Sequence, residues 1–373
     1  MFIDIIAGAR PNFMKIAPII ETIKAKYTEG VSIHYRLIHT GQHYDKNMSD
    51  NFFEQLGIPL PDVNLEAGGG TQAEQTAAIM VRYEKVLLDK PCDLCLVVGD
   101  VTSTMACSVV AKKLNIKVAH VEAGIRSFDL TMPEEINRMV TDSITDYFFT
   151  TSDTANTNLA KAGIPNERIF FVGNTMIDTL LKHRNRFTKS EAWHTYSLQK
   201  HQYLVMTLHR PANVDQAEKL RSLIHEITSN TEGLPIIFPV HPRTAKIFKD
   251  LGIIAENLHT IEPLGYLDFN YLVENAKCVI TDSGGITEET TVLGIPCITL
   301  RDNTERPETV TVGTNELIGT NPKDIAPALK KLFSGNWKKG AIPELWDGKT
   351  APRIVNHIIS LFQLEKPDLK PIR

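Results

Sequence analysis

The run TDSGGITEE at positions 281–289 has the composition of a phosphate-binding turn. Gly284 and Gly285 let the backbone approach a ligand closely, and Ser283 adds a hydroxyl donor. If a helix begins here, its first N–H groups and its dipole favour a phosphate. Glu289 follows one turn later and is spaced to accept both hydroxyls of a ribose. The run indicates a nucleotide-diphosphate site, although a tight turn with a helix cap has the same composition.

Cationic residues follow several other apolar runs. Arg10 and Lys15 come after the first run, where Arg10 can fork onto a diphosphate and Lys15 acts as a point charge. His209 and His241 follow two later runs, and the arginine beside each histidine favours anion binding over a purely structural role. Arg306 lies in the loop after another run, in the same predicted layer as the glycine-rich turn. Solvated surface charges are the alternative.

Three carboxylates come from successive connections in the first half of the chain. Asp100 and Glu122 each follow an apolar run, and Glu134 begins a helical pattern just after a proline. Such carboxylates can share the acid and base work of a proton abstraction. As alternatives, Asp100 can cap a helix and Glu134 can complement a helix dipole.

Short apolar runs alternate with amphipathic stretches, which predicts parallel sheets with helices on both faces. The predicted strands lie at residues 2–6, 94–98, 117–120, 147–150, 203–207, 236–240, 278–281 and 297–300. We predict two doubly wound, Rossmann-like α/β domains at residues 1–172 and 173–351, with a final helix at 352–366 that joins the first. Since ligands bind at the carboxyl ends of such strands, we expect one cleft between the domains to hold the site.

Composition excludes several other classes. A chain of 373 residues with 23% charged and 42% hydrophobic residues is typical of a globular protein with two domains. The net charge of −4 argues against a general nucleic-acid binder. No apolar run approaches the ~20 residues that span a bilayer, and the N-terminus lacks signal-peptide features. We therefore expect a cytoplasmic protein with no membrane or nucleic-acid partner.

The five cysteines are too few and too scattered for a disulfide scaffold. Cys92 and Cys95 have CxxC spacing, but they flank the head of a predicted strand, and no second pair with zinc spacing follows. We therefore predict a structural role for them and no metal site.

Residues from 3 to about 362 resemble the non-hydrolysing UDP-N-acetylglucosamine 2-epimerases of bacteria. The resemblance is carried by the motifs GARPNFMK, HTGQHYD, GDVTST, HVEAGIRS, MPEEINR, VGNTMIDTL, LHRPANVD, HPRT, TDSGGITEE and RDNTERPE, in this order. It implies a glycosyltransferase-B type fold with the active site in the interdomain cleft, and a homodimer. It also implies interconversion of UDP-N-acetylglucosamine and UDP-N-acetylmannosamine for cell-surface polysaccharide synthesis, without a metal or a nicotinamide. The reaction eliminates UDP and re-adds it to a 2-acetamidoglucal.

The same resemblance implies roles for individual residues. The family's catalytic acids match Asp100, Glu122 and Glu134, and the histidine that helps UDP depart matches His209. The substrate and nucleotide positions match Arg10, Lys15, Arg138, His241, Phe269, Ser283, Gly284, Gly285, Glu289 and Arg306.

Some segments depart from the commonest pattern. Many bacterial members follow their Gln-His pair with Arg-Glu, in a region that partly serves an allosteric substrate site. This chain has Tyr44 and Asp45 there, so the resemblance leaves activation by substrate open. The segment from position 39 to 59 is also similar to epimerases of UDP-2,3-diacetamido-glucuronic acid. A UDP-sugar glycosyltransferase, a non-catalytic nucleotide-sugar sensor and a hydrolysing epimerase are further alternatives, because fold alone does not fix function.

Overall fold

A computed structural model describes residues 1–41, 55–240 and 242–364, which form two compact units. The first comprises Met1–Lys182 with the described part of Glu344–Arg373, and the second comprises His183–Pro343. Each unit contains a parallel sheet with its own helices. The predicted pair of doubly wound α/β domains is therefore confirmed.

The first unit contains a parallel sheet of seven strands in the described residues. The strands are β1 (Phe2–Ala7), β2 (His34–His39), β3 (Val63–Asn64), β4 (Leu94–Val98), β5 (Lys117–Val121), β6 (Tyr147–Thr150) and β7 (Ile169–Phe171). Their order is β3-β2-β1-β4-β5-β6-β7. The helices are α1 (Arg10–Thr28), α2 (Gln72–Asp89), α3 (Thr102–Lys113), α4 (Pro133–Ile144), α5 (Asp153–Lys161), α6 (Thr175–His183) and, from the end of the chain, α15 (Thr350–Leu361). Because helices cover both faces, a central strand such as β4 is apolar and buried along its whole length.

The second unit repeats this plan with six strands in the described residues. The strands are β8 (Leu204–Thr207), β9 (Ile236–Pro239), β10 (Leu258–Ile261), β11 (Cys278–Thr281), β12 (Cys297–Thr299) and β13 (Asn315–Leu317). They are parallel, in the order β10-β9-β8-β11-β12-β13. The helices are α7 (Glu191–Thr195), α8 (Pro211–Val214), α9 (Ala217–Ser229), α10 (Pro242–Asp250), α11 (Tyr266–Asn275), α12 (Gly284–Leu293), α13 (Pro307–Thr311) and α14 (Ile325–Phe333).

Each sheet has a switch point where the strand order reverses. It lies between β1 and β4 in the first unit and between β8 and β11 in the second. Connections on the two sides of such a point run to opposite faces, so the loops at the carboxyl ends of these strands leave a crevice. The fold therefore gathers four of the predicted site segments into two places, one in each unit.

The division of the chain differs from the sequence-based boundary after residue 172, which falls inside the first unit. The reason is that α6 bonds to that unit along its length. Thr179 Oγ1 donates to the carbonyl of Met14 at 2.6 Å, and the Asp178 carboxylate accepts N–H groups of Thr350 and Ala351 at 3.1 and 2.7 Å. The last described helix, α15, packs on α1 in the same unit.

All five cysteines are buried as free thiols. Burial raises the pKa of Cys92 to about 12, which keeps this thiol protonated and unreactive near neutral pH. In the described part of the chain, no three His, Cys, Asp or Glu side chains are grouped to hold a metal ion. No helix there combines the length and apolar character that a membrane span requires.

Candidate active site

The first unit's switch point is organised by the start of α1. Asn12 Oδ1 accepts the N–H groups of Gly8 and Ala9 at 3.1 and 2.9 Å, and Asn12 Nδ2 donates to the carbonyl of Val98 at 3.2 Å. This one side chain ties the loop after β1 to the end of β4. Gly8 must lack a side chain, since a Cβ there would lie 2.1 Å from Ser103 Oγ.

Lys15 and Glu122 form an ion pair at this crevice, with Nζ 2.6 Å from Oε2. Both side chains are largely withdrawn from solvent, being 12% and 2% exposed. Glu122 has a left-handed backbone with φ of 70°, a strained conformation for this residue type that is typical of functional sites. Its N–H bonds the Phe149 carbonyl at 2.9 Å, which fixes the loop after β5. The structure thus pairs Lys15, a predicted phosphate-binding residue, with Glu122, a predicted proton-transfer residue.

Asp100 lies in the loop after β4, and two side chains of α4 bond to it. Arg138 Nε lies 3.1 Å from Asp100 Oδ2, and Asn137 Nδ2 donates to the Asp100 carbonyl at 2.9 Å. The preceding Gly99 is adjacent to the ion pair, because a Cβ there would lie 3.4 Å from Lys15 Nζ and 3.7 Å from Glu122 Oε2. The Asp100 and Glu122 loops therefore converge.

The two consecutive glutamates at the start of α4 have different environments. Glu134 is exposed in the first turn of the helix. Glu135 is buried, where it accepts from Ser127 and Phe128 and pairs with Arg138. The exposed Glu134 can therefore meet a substrate, whereas Glu135 orients Arg138 and with it Asp100.

A buried histidine and aspartate behind the crevice were missed by sequence reasoning. His120 Nδ1 lies 2.7 Å from Asp142 Oδ1, and its Nε2 lies 2.8 Å from the carbonyl of Gly99. Asp142 also pairs with Arg126 and accepts the Gly124 N–H. Burial alone would raise the pKa of Asp142, but His120 and Arg126 outweigh it and lower that pKa. The pair links the loops after β4 and β5 in one buried network.

In the second unit, Asp282 organises the switch point between β8 and β11. It is fully buried and accepts the backbone N–H groups of His209 and Arg210, and it also accepts from Asn213 Nδ2. His209 Nδ1 lies 2.8 Å from Asp282 Oδ1, while 60% of the His209 side chain is exposed. Burial raises the pKa of Asp282, but the bonds from His209 and its neighbours lower it overall. An ionised Asp282 fixes the ring and leaves Nε2 of His209 directed outward.

The predicted phosphate turn forms the start of α12. Ser283 is the cap residue, and Gly284 and Gly285 open the helix. A Cβ on Gly285 would meet no described atom within 4 Å, and one on Gly284 would meet only Arg301 Nη1, at 3.8 Å. The glycines therefore leave room for a group of ligand size against the N–H groups of the first turn.

Two adjacent glutamates of α12 differ in their partners. Glu288, 1% exposed, forms an ion pair with Arg306, 8% exposed. Glu289 is also buried, and this burial raises its pKa to about 7, with a further contribution from Glu288. The structure thus places Arg306 against α12, the helix that Ser283 caps, and adds Glu288 as the residue that pairs with Arg306.

The other predicted ligands have simpler placements. Arg10 is the first residue of α1 and is partly buried, which lowers the pKa of its guanidinium. Phe269 lies on α11 and is partly buried against the core of the second unit. His241 lies outside the described residues.

The model of the UDP-N-acetylglucosamine 2-epimerase family matches residues 25–359. The chain belongs to this family. A UDP-N-acetylglucosamine 2-epimerase of Methanocaldococcus jannaschii is 43% identical over 367 residues, which cover 95% of this chain and 98% of the relative. A crystal structure of the UDP-GlcNAc 2-epimerase of that organism, in complex with UDP-GlcNAc and UDP, has a TM-score of 0.84 at 42% identity and covers 96% of this chain and 100% of that one.

A second epimerase specificity is also represented among the relatives. A UDP-2,3-diacetamido-2,3-dideoxy-D-glucuronate 2-epimerase of Pseudomonas aeruginosa is 39% identical over 319 residues, covering 84% of this chain and 87% of the relative. The motif-based assignment to the 2-epimerase family is confirmed. The roles of the individual site residues stay predictions.

Proposed function

We propose that this chain interconverts UDP-N-acetylglucosamine and UDP-N-acetylmannosamine by eliminating and re-adding UDP. The observation that carries the proposal is the switch point of the first unit, where the Lys15–Glu122 and Arg138–Asp100 pairs converge. A substrate with a poorly acidic C–H bond and an anionic leaving group needs this combination of carboxylates and cations. Membership of the epimerase family supplies the substrate class.

In the proposed reaction, a carboxylate of the first unit removes the proton at C2 of the sugar. The C2–H electrons form the C1=C2 bond, and the C1–O bond breaks with its electrons passing to UDP. Asp100, Glu122 and Glu134 are the candidate proton carriers. Re-addition of UDP to C1 of the 2-acetamidoglucal, with protonation of the opposite face of C2, gives the epimer.

The second unit binds the UDP moiety in this proposal. The first turn of α12 and Arg306 stabilise the diphosphate, whose negative charge grows as the C1–O bond breaks. Removing one preorganised donor of this kind typically raises a barrier by about 3 kcal/mol. His209, oriented by Asp282, stands at the same edge and assists departure of UDP. Since these groups provide the charge stabilisation, we expect EDTA to leave activity intact.

Proton NMR of the purified protein with UDP-N-acetylglucosamine in D₂O tests the proposal. We expect UDP-N-acetylmannosamine with deuterium at C2. Retention of the original C2 proton in the product would overturn the elimination route. Free N-acetylmannosamine as the product would show a hydrolysing enzyme instead.

The Pseudomonas aeruginosa relative supports a second candidate, the C2 epimerisation of UDP-2,3-diacetamido-glucuronic acid. The two substrates differ at C3 and C6, so the same NMR assay run with each at equal concentration separates them. A kcat/KM higher for the glucuronate would assign the chain to that specificity.

We also propose a cytoplasmic homodimer, for which support comes only from the family resemblance and from the composition of the chain. Light scattering coupled to gel filtration measures the mass in solution, which the 41.7 kDa chain would double as a dimer. Fractionation of the source cells tests the location.

A further inference from the structure

Three buried polar side chains meet beside the predicted ribose ligand of the second unit. Tyr266 and Asn270 are one turn apart on α11, so they share a face of that helix. The Tyr266 hydroxyl, Oδ1 of Asn270 and Oε1 of Glu289 are all buried, and none has a hydrogen-bond partner among the described residues. Their residues are only 7%, 0% and 4% exposed. Buried polar atoms in native proteins are nearly always bonded, so this group requires an explanation.

The three side chains influence one another directly. The charge of Glu289 contributes to raising the pKa of Tyr266 after the larger effect of burial. Tyr266 and Asn270 in turn partly oppose the burial that raises the pKa of Glu289. Tyr266 and Asn270 are therefore both neighbours of the Glu289 carboxyl group.

The hydrogen-bonding capacity of the group is unbalanced in favour of acceptors. Asn270 Nδ2 already donates to the Tyr266 carbonyl at 3.2 Å, which turns Oδ1 toward the other side of the amide. When ionised, the Glu289 carboxyl group only accepts, so the Tyr266 hydroxyl and the second Nδ2 hydrogen of Asn270 are the side-chain donors left for it. A ligand with two adjacent hydroxyls would add donors to a carboxyl group held in this way.

We propose that Tyr266 and Asn270 are positioning residues that hold the Glu289 carboxyl group for the two hydroxyls of the UDP ribose. This inference rests on the proposed function, because it requires bound UDP with its ribose at Glu289, the residue that the sequence predicts as the ribose ligand. Tyr266 donates to one carboxyl oxygen and fixes its rotamer. Asn270 offers its second Nδ2 hydrogen to the carboxyl group and so favours the ionised form. The cluster then makes nucleotide binding depend on the ribose hydroxyls.

Calorimetry with UDP and with 2′-deoxy-UDP tests the inference at one fixed pH. We expect the wild-type protein to bind UDP about tenfold or more tightly than 2′-deoxy-UDP, as for a hydrogen bond to a charged group. Tyr266→Phe and Asn270→Leu should each lower this ratio by roughly threefold or more, mainly by weakening UDP. Tyr271→Phe is the matched control, because Tyr271 lies on the same helix but packs edge-on against Trp193. Its ratio should equal that of the wild-type protein.

The outcomes separate the inference from the proposed function. If the wild-type protein binds neither nucleotide, the proposed function fails. If it binds UDP but both variants keep the wild-type ratio, or lose affinity equally for both nucleotides, the role of Tyr266 and Asn270 is only structural and the inference is overturned. In a Glu289→Gln background, Tyr266→Phe should change the ratio no further. An additional, independent loss there would contradict action through Glu289.

Discussion

The switch points of the two units have the same strand order around them but carry different arrangements of acids. In the first unit, Glu122 and Asp100 stand at the crevice and are paired with cations. In the second unit, Asp282 lies behind the crevice and orients His209, while the glycines of α12 form the surface. The sheet supplies a position, and the loops decide whether that position favours proton transfer or anion binding.

The largest effect should come from removing an acid at the first crevice. We expect Glu122→Gln to lower turnover by about 10²-fold or more, the usual range for a positioned proton carrier. Affinity for UDP should change much less, because the nucleotide is assigned to the second unit. Steady-state kinetics with UDP calorimetry measures both, and Glu84→Gln on the exposed face of α2 is the control. Near-normal turnover would remove Glu122 from the catalytic set.

Arg306→Ala should act on nucleotide affinity, which Glu122→Gln should largely spare. We expect it to weaken UDP binding by roughly 1.5–3 kcal/mol through loss of a charged hydrogen bond. It also leaves Glu288 buried without this cation, so thermal stability should fall as well. Calorimetry and thermal melts report the two effects. Arg221→Ala, on the exposed surface of α9, should change neither. An unaltered UDP affinity in Arg306→Ala would place the diphosphate elsewhere.

Asp282→Asn distinguishes an orienting acid from a proton carrier. The amide keeps one acceptor oxygen, but its NH₂ group must face either His209 or the backbone N–H groups that donate to Asp282 in the wild-type protein. We expect turnover to fall by about tenfold, less than for Glu122→Gln, through misorientation of His209. Kinetics of Asp282→Asn, His209→Ala and the double variant give the measurement. Additive losses in the double variant would show that Asp282 acts independently of the histidine.

The smallest expected effect is on the pH dependence of stability, which should differ between an acid of the second unit, Glu289, and one of the first, Asp142. The pKa of Glu289 is raised in the folded state to about 7, so its contribution to stability is present below its ordinary value and is lost as pH rises toward 7. Asp142 has a lowered pKa, so its contribution is lost only as acid protonates it. Melting temperatures should therefore fall between about pH 5 and about pH 7, and Glu289→Gln should flatten this decline. An unchanged slope in that variant would contradict the assignment.

Much of the candidate site was predictable from the sequence, because its polar and charged residues follow the ends of predicted strands. Ser283 and Asp100 come directly after buried apolar runs, and parallel topology carries such positions to one edge of a sheet. The strands β2, β3, β7, β10 and β13 were missed. The strands β2 and β10 mix polar with apolar residues, and the other three have only two or three residues each.

The pairings within the site were not predictable from the sequence. His120 and Asp142 lie 22 positions apart, and His209 and Asp282 lie 73 apart. Nothing local marks either partner, because each pair depends on which loops the sheet order brings together. The same holds for the choice between Glu134 and Glu135, whose opposite environments depend on how α4 packs.

The second unit is inserted in the sequence of the first, between Lys182 and Glu344. This has a consequence for biosynthesis. Trp346, whose Nε1 donates to the Thr151 carbonyl at 3.0 Å, and helix α15 leave the ribosome only after the whole second unit has been translated. At roughly 5–20 residues per second, the earlier part of the first unit waits many seconds for these last pieces. The contiguous second unit can therefore complete its fold first, reversing the N-terminal-first order usual for nascent chains.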